Sequence, residues 1–217
     1  MVHADVAKTS ELFLEIYNGG AIFVAAISGA VAAIRQRADP FGVLVLSFTA
    51  ACSGGILRDL LIGSVPPDNI LSWHPLAISS AAAAVTICSY RLLDKKLDNP
   101  VQVFDACGLG LFTVLGAKKA LLYGIDPLWS VLLGMITGIG GGIVRDMLLA
   151  RMPNVLRREI YATASLAGGI IVVAGHIWPI MPLEYTMALG AVMCITLRLL
   201  ALKFKWAVPV LPRLPRA

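Results

Sequence analysis

Two stretches bring glycines and adjacent opposite charges into apolar surroundings. Ser53-Gly54-Gly55-Ile56-Leu57-Arg58-Asp59 is answered, 87 residues later, by Gly140-Gly141-Gly142-Ile143-Val144-Arg145-Asp146. Consecutive glycines lower helix propensity at one depth by about 1 kcal/mol each relative to alanine and let a helix bend. An unwound turn would expose carbonyls able to bind a cation, which membrane depth tolerates only beside a cavity. Ser47, Thr49, Ser53 and Thr137 lie on the same runs and offer hydroxyl oxygens, although such hydroxyls commonly bond back to their own helix. The competing use of the glycines is close helix packing. We expect them to line a pathway, and Gly141→Leu to block it without preventing assembly.

The Arg-Asp pairs admit two readings, a proton or ion site and a structural network. Neighbouring residues on a helix diverge by about 100°. We therefore expect cross-pairing, Arg58 with Asp146 and Arg145 with Asp59. Asn18 and Asp105 occupy equivalent places and are read as helix caps in preference to a cation-attracting vestibule. Lys118 and Lys119 have no charged counterpart in the first half, where Val31 and Ala32 stand. They either snorkel to an interface or sit in the transmembrane field, where one elementary charge is worth about 2.3 kcal/mol per 100 mV.

The elements that must position these residues are membrane helices. The chain of 217 residues is 58% hydrophobic and 14% charged, with mean hydropathy +0.82. Soluble domains carry about 25% charge. Seven apolar runs follow: 12–34, 40–63, 74–90, 101–122, 127–150, 160–177 and 184–202. Each approaches the roughly 20 residues needed to span a bilayer. The formal charge of +5 is spread between the runs rather than clustered, which argues against nucleic acid. Cys52, Cys88, Cys107 and Cys194 sit inside apolar runs and read as buried small hydrophobes. His3, His74 and His176 form no metal-ligand spacing, and no catalytic triad or phosphate loop is present, so no metal, cofactor or enzymatic activity is expected. The first run has no basic leader and reads as a retained span.

The 87-residue offset also maps Gly29 onto Gly116, Asp39-Pro40 onto Asp126-Pro127, Pro66 onto Pro153, and Tyr17-Asn18 onto Phe104-Asp105. An internal repeat follows. Residues 1–97 form one three-helix unit, 98–182 a second, and 183–217 a seventh helix with a basic tail. Three spans per unit is an odd number, so the second unit is inverted in the membrane, as in transporters built around a midplane site. Arg35 and Arg37, then Arg91, Lys95 and Lys96, then Arg151, Arg157 and Arg158, and finally Lys203 and Lys205 fall on one side. That side should be cytoplasmic, with the N-terminus outside and the C-terminus inside. The expected fold class is an all-α integral membrane protein, an inverted 3+3 repeat plus a seventh helix, in a bacterial or archaeal plasma membrane.

The paired G-G-I-x-R-D motifs, the Asp-Pro heads of spans two and five and the three-plus-three-plus-one layout resemble the prokaryotic TRIC family of trimeric intracellular cation channels, over about residues 12–203. The resemblance implies three assembled protomers, each with its own pore for potassium and also sodium. It implies that Gly54, Gly55, Gly140, Gly141 and Gly142 bend helices two and five beside the pore, and that Lys118 and Lys119 respond to voltage. The animal members have a lysine-acid-hydrophobe pattern where this chain reads Lys118-Lys119-Ala120, and Ser53 replaces one glycine of the first triplet. Each half also resembles a bacterial glycine-transporter-like domain, which implies the alternative of a secondary transporter for a small amino acid such as glycine. A scaffold or lipid-binding membrane protein, whose glycines serve only packing, is the third reading.

Overall fold

The computed structural model describes the backbone of residues 2–96, 99–156 and 160–206, and the side chains of 14–92, 99–153, 155–156 and 160–206. Eight α-helices are found among them: α1 (Val2–Arg35), α2 (Pro40–Leu61), the single turn α3 (Asp68–Leu71), α4 (His74–Lys96), α5 (Pro100–Leu122), α6 (Pro127–Leu148), α7 (Ile160–Ile177) and α8 (Leu183–Lys203), with a 3-10 turn at Asn154–Leu156. All but α3 contain stretches long and apolar enough to cross a membrane, seven in total. The chain is a multi-pass, all-helical membrane protein. Lys95 and Lys96 lie outside the described side chains, as do Arg157, Arg158, His3 and the tail beyond Trp206.

Local chemistry sets the helix ends. Asp39 accepts the Gly42 N–H at 2.7 Å and Asp126 accepts the Leu128 N–H at 2.9 Å, each just before a proline. A capping carboxylate followed by a residue with fixed φ and no N–H starts a helix at little cost. Chain reversal after α1, α2, α5 and α6 uses a left-handed residue each time: Arg37, Gly63, Gly124 and Ala150. Arg37 and Gly124 are repeat equivalents, and so are Gly63 and Ala150. Glycine takes that conformation freely, and its equivalents take it with a side chain in place.

Helices α1 and α5 are central. Helix α1 packs on α2, α4 and α5, while α5 packs on α6, α7, α8 and α1. Helices α2 and α6 meet directly, and α8 rests mainly on α7 and α5. Ala21, Ala25, Ala26, Ala51 and Ala82 fill the first apolar cluster with Ile22, Val31 and Phe112. Small side chains of this kind bring helix backbones close in lipid, where water exclusion no longer drives association.

Candidate functional site

Helices α2 and α6 cross at the glycines. A Cβ on Gly54 would collide with the Thr137 carbonyl oxygen, and one on Gly141 would collide with the Ala50 carbonyl oxygen. The two clashes exchange repeat-equivalent positions. A Cβ on Gly140 would come within 2.8 Å of the Gly54 Cα. Both helices remain helical through these residues, so the expected unwound turn is absent. Gly54, Gly140 and Gly141 are contact points between backbones, because only hydrogen fits where two helix axes come so close. Gly141→Leu is therefore expected to break the crossing, and the expectation of normal assembly is withdrawn.

One residue further on, the glycines face polar groups. Gly55 borders the Asn69 amide, and Gly142 borders the Tyr161 hydroxyl, the Asp105 carboxylate and the Arg145 guanidinium. The absent side chains make room for the two arginines.

The Arg-Asp pairs close on themselves. Arg58 donates to Asp59 through Nε at 2.9 Å and Nη2 at 2.8 Å. Arg145 reaches Asp146 through Nε and Nη2, both at 2.9 Å. The expected cross-pairing is thus replaced by pairing within each motif. The 100° divergence holds for Cα–Cβ vectors, but the arginine side chain is long enough to curl back to its neighbour.

The two clusters differ in their further partners. Asp59 is fully buried and also takes Lys119 Nζ at 2.8 Å and the Asp68 N–H at 3.0 Å. Lys119 bonds Asp68 as well, at 2.6 Å. Lys119 is therefore tied between two carboxylates rather than snorkelling. Arg145, only 1% exposed, adds Asp105 of α5 at 2.8 Å and Ser28 of α1 at 2.6 Å. Asp105 is buried in the second turn of α5, whose N-cap position is Asn99, which overturns its reading as a cap. Where Arg145 has Asp105, the equivalent place near Arg58 holds the uncharged Asn18.

Cavities approach these clusters from both ends of the bundle. One of about 520 Å³ is lined by Ala32, Arg35, Asn99, Gln102, Arg151 and Asp146. At the other end, a cavity of about 270 Å³ is lined by Glu15, Asn18, Arg58, Asp68, Lys118 and Lys119. Between them, Ser28, Ala50, Asp105, Phe112, Gly142 and Arg145 border a constriction with room for about 10 Å³, less than a water molecule requires.

The hydroxyls are mostly satisfied by their own helices. Thr49 bonds the Val45 carbonyl at 2.8 Å, Ser53 the Thr49 carbonyl and Thr137 the Leu133 carbonyl, the latter two at 2.6 Å. Ser47 is buried without a hydrogen-bond partner. None of these four borders the constriction. Cys52 and Cys194 are buried as expected, but Cys88 is exposed, and all four cysteines are free. No cluster of metal-ligating residues occurs among the described residues.

Sequence reasoning missed Ser28, Tyr161 and Arg198. Arg198 is 1% exposed on α8, and its guanidinium lies 4.6 Å from the Tyr161 ring centroid. A lone arginine inside the last apolar run was the available signal.

A bundle of seven apolar helices that holds buried charged side chains between separate cavities defines a polytopic membrane protein. The model of the Glycine transporter family matches residues 15–91 and again 102–176. The chain is 37% identical over 191 residues to the inner membrane protein YadS of Escherichia coli K12, covering 88% of this chain and 91% of that one. A solved TRIC cation channel matches with TM-score 0.80 and 33% identity over 94% of this chain and 98% of its own. The TRIC trimeric intracellular cation channel orthologue of Rhodobacter sphaeroides matches with TM-score 0.81 and 29% identity, over 88% and 97%. The chain belongs to the Glycine transporter family of membrane proteins and, by its match to solved TRIC channels, to the TRIC family.

Proposed function

We propose that this protein is a channel for monovalent cations, potassium and sodium, with one path through each protomer of a homotrimer. The path runs between α1, α2, α5 and α6, and the state described here is closed. The observation that carries this reading is that two cavities lie toward opposite ends of α1 and α5, with the Arg145–Asp105 contact at a level between them. The solved relatives are called cation channels, and one of them trimeric, which supports the ion class and the assembly.

The charges fit cations. In the constriction the single Arg145 guanidinium is bonded by two carboxylates, Asp105 and Asp146. A fixed arginine paired with carboxylates does not repel a cation as a bare one would. Arg145 links α6, α1 and α5, so it works as a latch, and Gly142 leaves the space into which it turns. An ion then needs a site attractive enough to enter and loose enough to leave.

The reciprocal contacts of Gly54 and Gly141 support two inverted units, residues 1–97 and 98–182, followed by 183–217. Arg35 and Arg151 line one cavity mouth, in keeping with a cytoplasmic face there, an external N-terminus and residence in a prokaryotic inner membrane. Lys118 and Lys119 remain our candidates for voltage response, with Lys118 on the outer cavity wall.

The name of the matching family favours a second reading, a carrier for glycine. Purified protein in vesicles, given potassium, sodium, chloride and glycine gradients in parallel, separates the two. Fast potassium and sodium flux without chloride flux supports the channel, and saturable glycine uptake alone supports the carrier.

A further inference from the structure

Helix α8 stands outside both three-helix units, yet it places a buried guanidinium behind the constriction. Charge at this depth is costly unless it is matched by protein. Arg198 lies over the face of Tyr161, where the ring's negative face attracts a cation. The Tyr161 hydroxyl in turn donates to Asp105, the carboxylate that holds Arg145. An unbroken line of contacts therefore runs from α8 through α7 and α5 to the latch on α6.

We propose that Arg198 is a positioning residue for the passage, a role that rests on the channel reading above. A cation on the ring face draws electron density from the phenol and makes its O–H a stronger donor. Tyr161 then competes with Arg145 for Asp105. With Arg198 present, the carboxylate is held back toward α7 and the latch releases more readily. Without it, Asp105 turns wholly to Arg145 and the closed state gains. Movement of α8, the helix with no repeat partner, is thereby coupled to opening.

The test compares wild type with Arg198→Leu, Arg198→Lys, Tyr161→Phe and the Leu/Phe double variant in planar bilayers containing symmetric potassium chloride. Trimer content and thermal unfolding are followed alongside. The expected result is a several-fold lower open probability for Arg198→Leu, with unitary current unchanged. Tyr161→Phe should match it, the double variant should be no worse than either single, and Arg198→Lys should lie near wild type. A purely structural arginine would reduce the number of channels and the unfolding temperature while leaving the open probability of surviving channels unchanged. That result overturns the proposal, as does an additive double variant. Should Arg198→Leu not assemble, Tyr161→Phe and Arg198→Lys decide by the same readout. A wild type without unitary current overturns the channel reading and this inference with it.

Discussion

Arg145 and Asp105, forty residues apart in the chain, meet at 2.8 Å in the buried interior of the bundle. The contact joins the last turns of α6 to the second turn of α5, beside the small cavity that separates the two larger ones along the helices. Removing one partner of a buried ion pair costs about 3–5 kcal/mol, because the other charge is left unmatched. Asp146 still pairs Arg145, so Asp105→Asn should fall at or below the low end of that range. It should lower the thermal midpoint in detergent and weaken potassium-over-chloride selectivity, read as a shift of reversal potential toward zero in a salt gradient.

The glycines separate by role. Gly54→Ala and Gly141→Ala each drive a methyl group into a backbone carbonyl of the facing helix and should abolish monodisperse protein on size exclusion. Gly20→Ala meets nothing within 4 Å and should be neutral or stabilising, by up to about 1 kcal/mol. Thermal unfolding of the three variants checks both statements.

Gly142→Ala falls between these extremes. Its methyl group would sit 3.1 Å from the Tyr161 hydroxyl and 3.3 Å from Asp105, so the neighbours need to yield only slightly. The variant should fold, assemble and conduct with a unitary current reduced by about half or more, since the added group occupies the space beside the latch. Unitary current through the purified protein provides the check.

The adjacent lysines should behave differently. Lys119→Gln breaks contacts to Asp59 and Asp68 and should cost about 1–3 kcal/mol, nearly all through buried Asp59, since the exposed Asp68 is screened. Lys118→Gln leaves those contacts intact and should change mainly current entering from its own mouth. Stability curves and current rectification distinguish the pair.

Much of the fold was readable from residue order. The seven apolar runs became seven helices with ends displaced by a few residues, because Asp39-Pro40 and Asp126-Pro127 are explicit starts. Helix α1 begins earlier than hydropathy indicated, at Val2, since a helix continues past the end of its apolar face. The doubled motif singled out residues that the structure places at the crossing of α2 and α6 and in the two Arg-Asp pairs. It did not disclose which glycine touches backbone and which faces charge, since Gly54 and Gly55 are alike in sequence and differ only by 100° of rotation. Nor did it reveal the partners of Arg145. Ser28, Asp105 and Tyr161 come from three other helices, and only packing brings them together.

The central claim is a cation passage within each protomer that closes at Arg145 and Asp105. Unitary current from purified wild-type protein in a planar bilayer under a tenfold potassium chloride gradient tests it most directly, with the Gly142→Val variant run in parallel. The account predicts discrete steps reversing near the potassium equilibrium potential for wild type, and their loss in a variant that still assembles as the wild type does. Absence of steps from a wild type that accumulates glycine saturably, or identical currents from both proteins, would contradict it.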